Sequence, residues 1–383
     1  MKKNLSVLFV QCAPSQLDSS FYSELNERTK GRISLALMND GDIRRTQLDP
    51  ELGIVPKFPP LSEGYPIHHV PTERHGGLKK LIALIARLRP RMVVVQDQVW
   101  FSKISIALVC RVLRISVIMR SDKNELSSRS RVGWKRLVEA FLVKVLFDGI
   151  APVSKLTASY YRWVDLKKIW WFPYPSSKSK FSRNDDYTDV RRNIRESLGI
   201  PMSHCVYLAV VKFVDRENPD GIIKAFHELS NWRTDASLLL IGAGPMEAQL
   251  KNMVENLEIK NVYFCGYVPY STLQNYFWAS DVFVHLAWVG PWEISPQDAL
   301  VAHLGLVTSN CVGSGICHLE DELSRFIVNP DDPVAAARAM NEAGDANIDA
   351  LFSRAWTSVT ARFTSDELAV WWANKLVAEG VFS

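Results

Sequence analysis

The chain has 383 residues, of which 47% are hydrophobic and 22% charged, the composition of a globular protein of about two domains. A net charge of +4 is too mild to indicate a nucleic-acid partner. No segment reaches ~18 consecutive apolar residues, so the sequence shows no membrane-spanning helix, and six scattered cysteines without a C-x-x-C pair read as reduced core residues of a cytosolic protein, not disulfides or zinc ligands.

In chain order, MKKNLSVLFVQ opens with lysines and a short apolar run, which reads as a first strand and not a signal peptide. FYSELNERT is a helix and RISLALM a second strand. LKKLIALIARLRP has helical apolar spacing and stops at Pro90. MVVVQ is a buried strand, SKISIALVCRVLR a helix, ISVIMR a strand, GWKRLVEAFLVKVLF a long amphipathic helix and GIAPVS a short strand. WFPYPSSKSKFSRNDD breaks the pattern and reads as an interdomain linker. A second alternation follows: CVYLAVV, PDGIIKAFHELS, ASLLLIG, PMEAQLKNMVENL, NVYFCG, STLQNYFWAS, DVFVHLA and GLVTSN, with a helical end at DELAVWWANKLVAEG. Near-continuous apolar strands between helices predict parallel sheets covered on both faces.

From Arg120 to Lys180 bases far outnumber acids. Such a run suits an anionic membrane or a phosphorylated substrate, and equally a solvated basic face. The amphipathic helix from Leu78 to Arg89, with this segment nearby, is a candidate for docking on an anionic bilayer.

Open parallel sheets bind ligands at the carboxyl ends of their strands, and four such ends in the second half carry candidates. Gly242 and Gly244 form a tight turn before a helix, with Pro245 suited to its first turn. Amides there could hold a phosphate; a turn with no ligand is the plainer alternative. Lys212 and Arg216 follow a strand, where cations could clamp a diphosphate or simply face solvent. Tyr267 and Val268 after Gly266 could line a slot for a base. Ser295 and Pro296 open a helix whose first turn holds Asp298, a place the helix dipole favours for an acid anyway, and Glu293 stands just before it. His285 and His303 read as structural, and His318 beside Cys317 lacks the other ligands of a zinc site.

Taken in order, these segments resemble the nucleotide-sugar-binding half of the family-4 retaining glycosyltransferases (glycosyltransferase group 1). The strand–basic loop–helix unit, I-G-x-G-P, F-x-G-Y-V, A-S-D-V-F-V and P-W-x-x-x-x-Q-[DE]-A-L carry the likeness from about Val206 to Pro330. The resemblance implies an α/β chain of GT-B architecture: two Rossmann-like domains with parallel sheets facing each other across a cleft. It places an acceptor domain at 1–175, a nucleotide-sugar domain at 185–363, and a last helix (364–383) packed back on the first domain. It implies Lys212 at the first of two basic positions that hold the donor diphosphate, with Glu217 where a second lysine is usual and Arg216 beside it. It implies Asp298 at the ribose. Gly290 stands where a sugar-side acid is usual, and Glu293 is a candidate replacement. In the first domain, Arg120, Ser121 and Asp122 end a strand that often carries a functional residue in this family.

The expectation is therefore a cytoplasmic enzyme, at or near the inner face of the membrane. It would move a sugar with retention from a nucleotide-sugar donor to a sugar or lipid-linked glycan acceptor in surface polysaccharide or lipopolysaccharide synthesis. It would need no cofactor or metal and bind no nucleic acid. Charge stabilisation by Lys212, Arg216 and amides after Gly242 and Gly244, with Asp122 and Glu293 as further catalytic candidates, would drive the reaction. Gly290 and Glu217 leave two alternatives: a degenerate homologue that binds without transfer, or an epimerase-like enzyme.

Overall fold

A computed structural model describes residues 5–12, 16–38, 49–55, 64–71, 76–96, 100–125, 133–162, 168–345 and 347–382. The chain divides into two compact units. The first comprises Met1–Thr46, Pro60–Pro175 and Phe363–Ser383; the second comprises Gln47–Pro59 and Ser176–Arg362.

The first unit holds strands β1 (Val7–Gln11), β2 (Ile33–Leu37), β3 (Ile67–His69), β4 (Met92–Val95), β5 (Ser116–Ser121) and β6 (Gly149–Pro152) in one sheet of order β3-β2-β1-β4-β5-β6. Every pairing in it is parallel. Helix α1 (Gln16–Arg28) lies on one side; α2 (Gly77–Leu88), α3 (Trp100–Val112) and α4 (Gly133–Leu146) lie on the other. Alternate residues of β1 serve the two faces: Leu8 and Val10 pack with α2, α3 and α4, whereas Val7 and Phe9 pack with α1. A strand buried on both faces must be apolar at every position, which is why β1 reads as an unbroken run.

The C-terminal helix Ser365–Ala378 joins the α1 side. Trp372 is fully buried there, its ring 5.6 Å from Phe9, and its indole N–H donates to the Trp171 carbonyl at 2.9 Å. Tryptophan combines a large apolar body with one donor that needs a partner, and both requirements are met.

The second unit repeats the plan with β7 (Cys205–Val210), β8 (Ala236–Ile241), β9 (Val262–Gly266), β10 (Val282–His285), β11 (Gly305–Ser309) and β12 (Ile327–Val328), in the order β12-β11-β10-β7-β8-β9. In both sheets the strand order reverses beside the first strand, at β1/β4 and β7/β10. That is the arrangement of a doubly wound fold, whose ligands bind at the carboxyl ends near the reversal. No described helix is long and apolar enough to cross a membrane.

Two departures from the sequence reading have physical causes. The stretch expected as a bare linker contains a short helix, Lys178–Phe181, whose Phe181 is fully buried. It leads into Tyr187–Leu198, a helix the apolar pattern does not announce. That helix is anchored by charge: buried Arg195 bonds Asp281 at 2.8 Å and the Ala279 carbonyl at 2.8 Å.

In the first unit the carboxyl ends of β1, β4 and β5 meet at one ion pair. Arg120 donates to both oxygens of Asp18, at 2.7 and 3.0 Å, and to Gln96 at 2.7 Å. Gln11 donates to Asp18 at 3.0 Å, and the Phe172 and Pro173 carbonyls take the other Arg120 donors. The two charged side chains are 2% and 0% exposed. Asp122, three residues from the end of the β4–β5 register, is exposed, so Arg120's buried carboxylate partner is Asp18 and not Asp122. Replacing Asp18 by Ala would strand a buried guanidinium. The expected loss is about 3–5 kcal/mol, read as a lower denaturation midpoint; an unchanged midpoint would contradict it.

Candidate functional site

The strand β7 ends in a loop that carries Lys212, then a single 3-10 turn, Asp215–Glu217. Asn218, at φ 54°, closes the turn and caps the next helix by accepting from the Gly221 amide at 3.1 Å. Its amide group donates to the Leu286 carbonyl at 2.9 Å, tying the loop to the end of β10. Beside it, β8 runs into Gly242 and Gly244. A side chain at Gly242 (φ 155°) would place its Cβ 1.8 Å from the Val211 carbonyl, so only glycine allows the two loops to lie this close. Pro245 lies in the turn before the helix Glu247–Asn256, not within it. The Met246 and Glu247 amides bond the Phe213 and Gly244 carbonyls, both at 3.1 Å.

The cations of this loop face acids from a distant part of the chain. In the turn between Asp49 and Ile54, one Asp49 oxygen accepts the Glu51 and Leu52 amides at 2.9 and 3.1 Å. The other accepts from Lys212 at 3.0 Å. Glu51 receives Lys212 at 2.7 Å and a two-pronged contact from Arg216 at 3.0 and 2.9 Å. The Glu51 carbonyl also lies 2.9 Å from where a Cβ on Gly244 would be. The Arg216 and Lys212 hydrogen bonds hold the Glu51 carboxyl down at about 2. Burial opposes the charge on Lys212, but its bonds to Glu51 and Asp49 outweigh this and raise its pKa. These side chains are about a third exposed, so each pair is worth on the order of 1 kcal/mol or less.

Glu217 turns inward. It is buried, with one oxygen 2.7 Å from Arg216 Nη1 and the other 3.7 Å from His285 Nε2. His285 is buried without a hydrogen bond at either ring nitrogen, and burial lowers it to about 4, so it is neutral. Glu293 completes the group. A Cβ on Gly290 would meet Glu293 Cγ at 2.9 Å and Oε1 at 3.3 Å, so the Glu293 carboxylate fills the space beside Gly290. Burial pushes both Glu217 and Glu293 upward, and for Glu293 the charge of Glu217 adds to it. Among the described residues, Glu217, His285 and Glu293 are the one trio whose donor atoms, within 4.8 Å of one another, suit a cation. The Arg216 guanidinium already supplies positive charge at that point.

A second polar group surrounds Asp298, which sits in the first turn of the helix Ser295–Val301 as the sequence suggests. Ser295 is the first residue of that helix. Asp298 is buried and accepts the Ser176 hydroxyl. Lys180 donates to the Tyr270 carbonyl and lies 3.5 Å over the Tyr270 ring. Tyr267 and Val268 follow Gly266 half-buried at the end of β9, and the Gly266 carbonyl accepts the Gly242 amide at 3.0 Å.

Thus Lys212, Arg216, Gly242, Gly244 and Glu293 gather at the β7, β8 and β10 ends; Asp298 centres a neighbouring group, and Asp122 belongs to the other unit. Sequence reasoning missed Asp49, Glu51, Ser176 and Lys180, and it read His285 as merely structural. Nothing local marks Asp49 or Glu51, which lie more than 160 positions from the cations they meet.

Residues 190–350 match the family model described as glycosyl transferases group 1. The GDP-mannose-dependent monoacylated alpha-(1-6)-phosphatidylinositol monomannoside mannosyltransferase of Corynebacterium glutamicum is 26% identical over 195 residues, covering 45% of this chain and 49% of that protein. The alpha-monoglucosyldiacylglycerol synthase of Streptococcus pneumoniae is 27% identical over 154 residues, covering 39% of this chain and 34% of that protein. The chain thus spans half or less of the curated relatives it matches. The crystal structure of Anabaena HepE in complex with UDP superposes with a TM-score of 0.75 at 14% identity, covering 98% of this chain and 100% of that one. At that identity the likeness is one of fold, and the chain has two Rossmann-like domains with parallel sheets, consistent with the GT-B architecture.

Burial pushes the Asp298 carboxyl up from 3.8 to about 7, against the Ser176 hydroxyl and the Lys180 charge. Between those values the folded chain holds a proton that the unfolded chain has released, so Asp298 costs stability as pH rises through that window. Asp298→Asn should remove this cost and gain up to a few kcal/mol over the parent by neutral pH. Denaturation midpoints from about pH 5 to 8 test this; parallel curves for the two proteins would show that Asp298 is ionised when folded.

Proposed function

We propose that the protein transfers a sugar from a nucleoside-diphosphate donor to an acceptor hydroxyl with retention at the anomeric carbon. The observation that carries the reading is the pairing of Lys212 and Arg216 with carboxylates beside the Gly242–Gly244 turn, within the residues that match the group 1 family model. Cations that hold carboxylate oxygens at 2.7–3.0 Å have the chemistry to hold phosphate oxygens.

In the reaction the acceptor oxygen forms a bond to the anomeric carbon on the face from which the diphosphate leaves. The bond from that carbon to the diphosphate breaks, and the acceptor proton passes to the departing phosphate oxygen. Lys212 and Arg216 stabilise the charge that grows on the leaving group. Glu293, beside Gly290, contacts the donor sugar, and Asp298 orients the ribose. Tyr267 and Val268 flank the base. No step calls on a metal or redox cofactor.

UDP in the HepE complex and GDP-mannose in the name of the Corynebacterium relative support a nucleotide-sugar donor without choosing the base. The two curated relatives are named for a glycolipid, one as substrate and one as product, which supports a lipid-linked glycan acceptor, in bacterial surface polysaccharide or lipopolysaccharide assembly. The acids on Lys212 and Arg216 favour one second reading, a homologue that binds a donor without transferring it.

A panel of UDP-, GDP- and dTDP-sugars should show turnover with one donor class and a product of unchanged anomeric configuration. Lys212→Ala should lower turnover or donor affinity more than tenfold, about 1.4 kcal/mol, with the fold intact. Unchanged kinetics would remove Lys212 from the site, and donor binding without turnover in the parent would favour the second reading.

A further inference from the structure

The helices α2, α3 and α4 turn a distinctive outer face to solvent. On α2 the apolar residues Leu81, Leu84 and Ile85 point into the core, and Lys79, Lys80 and Arg87 are exposed. The helix singled out for membrane docking from its pattern therefore contributes charge, and its apolar stripe is spent on the fold. The exposed apolar residues sit on its neighbours. Phe101, Leu108 and Val112 on α3 are 73%, 51% and 83% exposed, and Leu137, Phe141 and Val145 on α4 are 71%, 63% and 46% exposed. Their spacings of four and seven put each set on one stripe of its helix. The stripes are adjacent: Arg111, near the end of α3, donates to the Val145 carbonyl on α4 at 2.6 Å.

Charge around the stripes is mostly positive, with half-buried Asp148 4.0 Å from Arg111 among it. Arg111, Arg114 and Lys144 are exposed beside them. The only acid in the three helices is Glu139, which is buried and paired with Lys123 at 2.7 Å. A soluble face normally carries both signs and few large apolar groups.

We propose that this face is a docking surface for an anionic lipid bilayer. Phe101, Phe141 and their neighbours enter the boundary between headgroups and acyl chains, and the surrounding lysines and arginines meet lipid phosphates. A second copy of the chain fits the face poorly, because a two-fold contact would set these bases against themselves. The inference rests on this surface alone and needs no donor or acceptor, so it stands or falls apart from the proposed sugar transfer.

Flotation of the full chain with vesicles tests it, using phosphatidylcholine alone or with about a third phosphatidylglycerol. The parent should float with the anionic vesicles at low salt and stay behind with the neutral ones. The double variant Phe101→Ser/Phe141→Ser should lose most of the binding. Lys79→Glu/Lys80→Glu, which leaves the apolar stripes untouched, should weaken it severalfold and serves also if the first variant misfolds. A parent that ignores anionic vesicles, or variants that float as well as the parent, would overturn the proposal. So would a dimer that the Phe variant dissolves without any effect on lipid binding.

Discussion

Charge balance at the carboxyl edge of the second sheet governs the candidate site. Lys212 and Arg216 stand there among four carboxylates, Asp49, Glu51, Glu217 and Glu293. Two cations cannot keep all four of these clustered acids ionised. The acids divide by environment: Glu51, bonded by both cations near the surface, is held ionised, while burial drives Glu217 and Glu293 towards their neutral forms. A diphosphate brought to Lys212 and Arg216 would add charge that this group does not accommodate. On the proposed reading it displaces the Asp49–Glu51 turn, whose carboxylates are bonded to the same two cations. Because those pairs are partly solvated, the exchange costs little.

The second unit was largely legible in the sequence. Its strands β8, β10 and β11 are buried on both faces and read as apolar runs, and Gly242 and Gly244 are required by close approach of backbone. What escaped the pattern is held by polar contacts instead of apolar burial. The helix Tyr187–Leu198 is fixed by Arg195 on Asp281. The acidic turn reaches the site from the sequence region before β3, which no local spacing announces. Gly290, where the family resemblance implies a sugar-side acid, reads from sequence as a loss. In space the Glu293 side chain occupies the place a side chain at Gly290 would fill, because the loop between β10 and its following helix folds back on itself.

The first unit shows the same division. Its parallel, helix-covered sheet follows from the alternation of apolar runs, whereas its most constrained polar feature joins residues that no motif connects. Arg120 was legible as a candidate at a strand end. Its partner is Asp18 on α1, because the guanidinium reaches across β4 and β1 instead of back along its own strand to Asp122. Burial of both charges makes this pair a structural fixture of the carboxyl edge. The basic, apolar outer face on α2, α3 and α4 lies on the opposite side of that sheet from α1 and the C-terminal helix.

The most direct test of the account is calorimetric titration of UDP and GDP into the parent chain and into Glu51→Ala. If the acidic turn occupies the diphosphate position, removing Glu51 frees Lys212 and Arg216, and the preferred nucleotide should bind about three- to tenfold more tightly, on the order of 1 kcal/mol. Equal or weaker binding in the variant would show that the nucleotide is held elsewhere and would contradict the placement of the site.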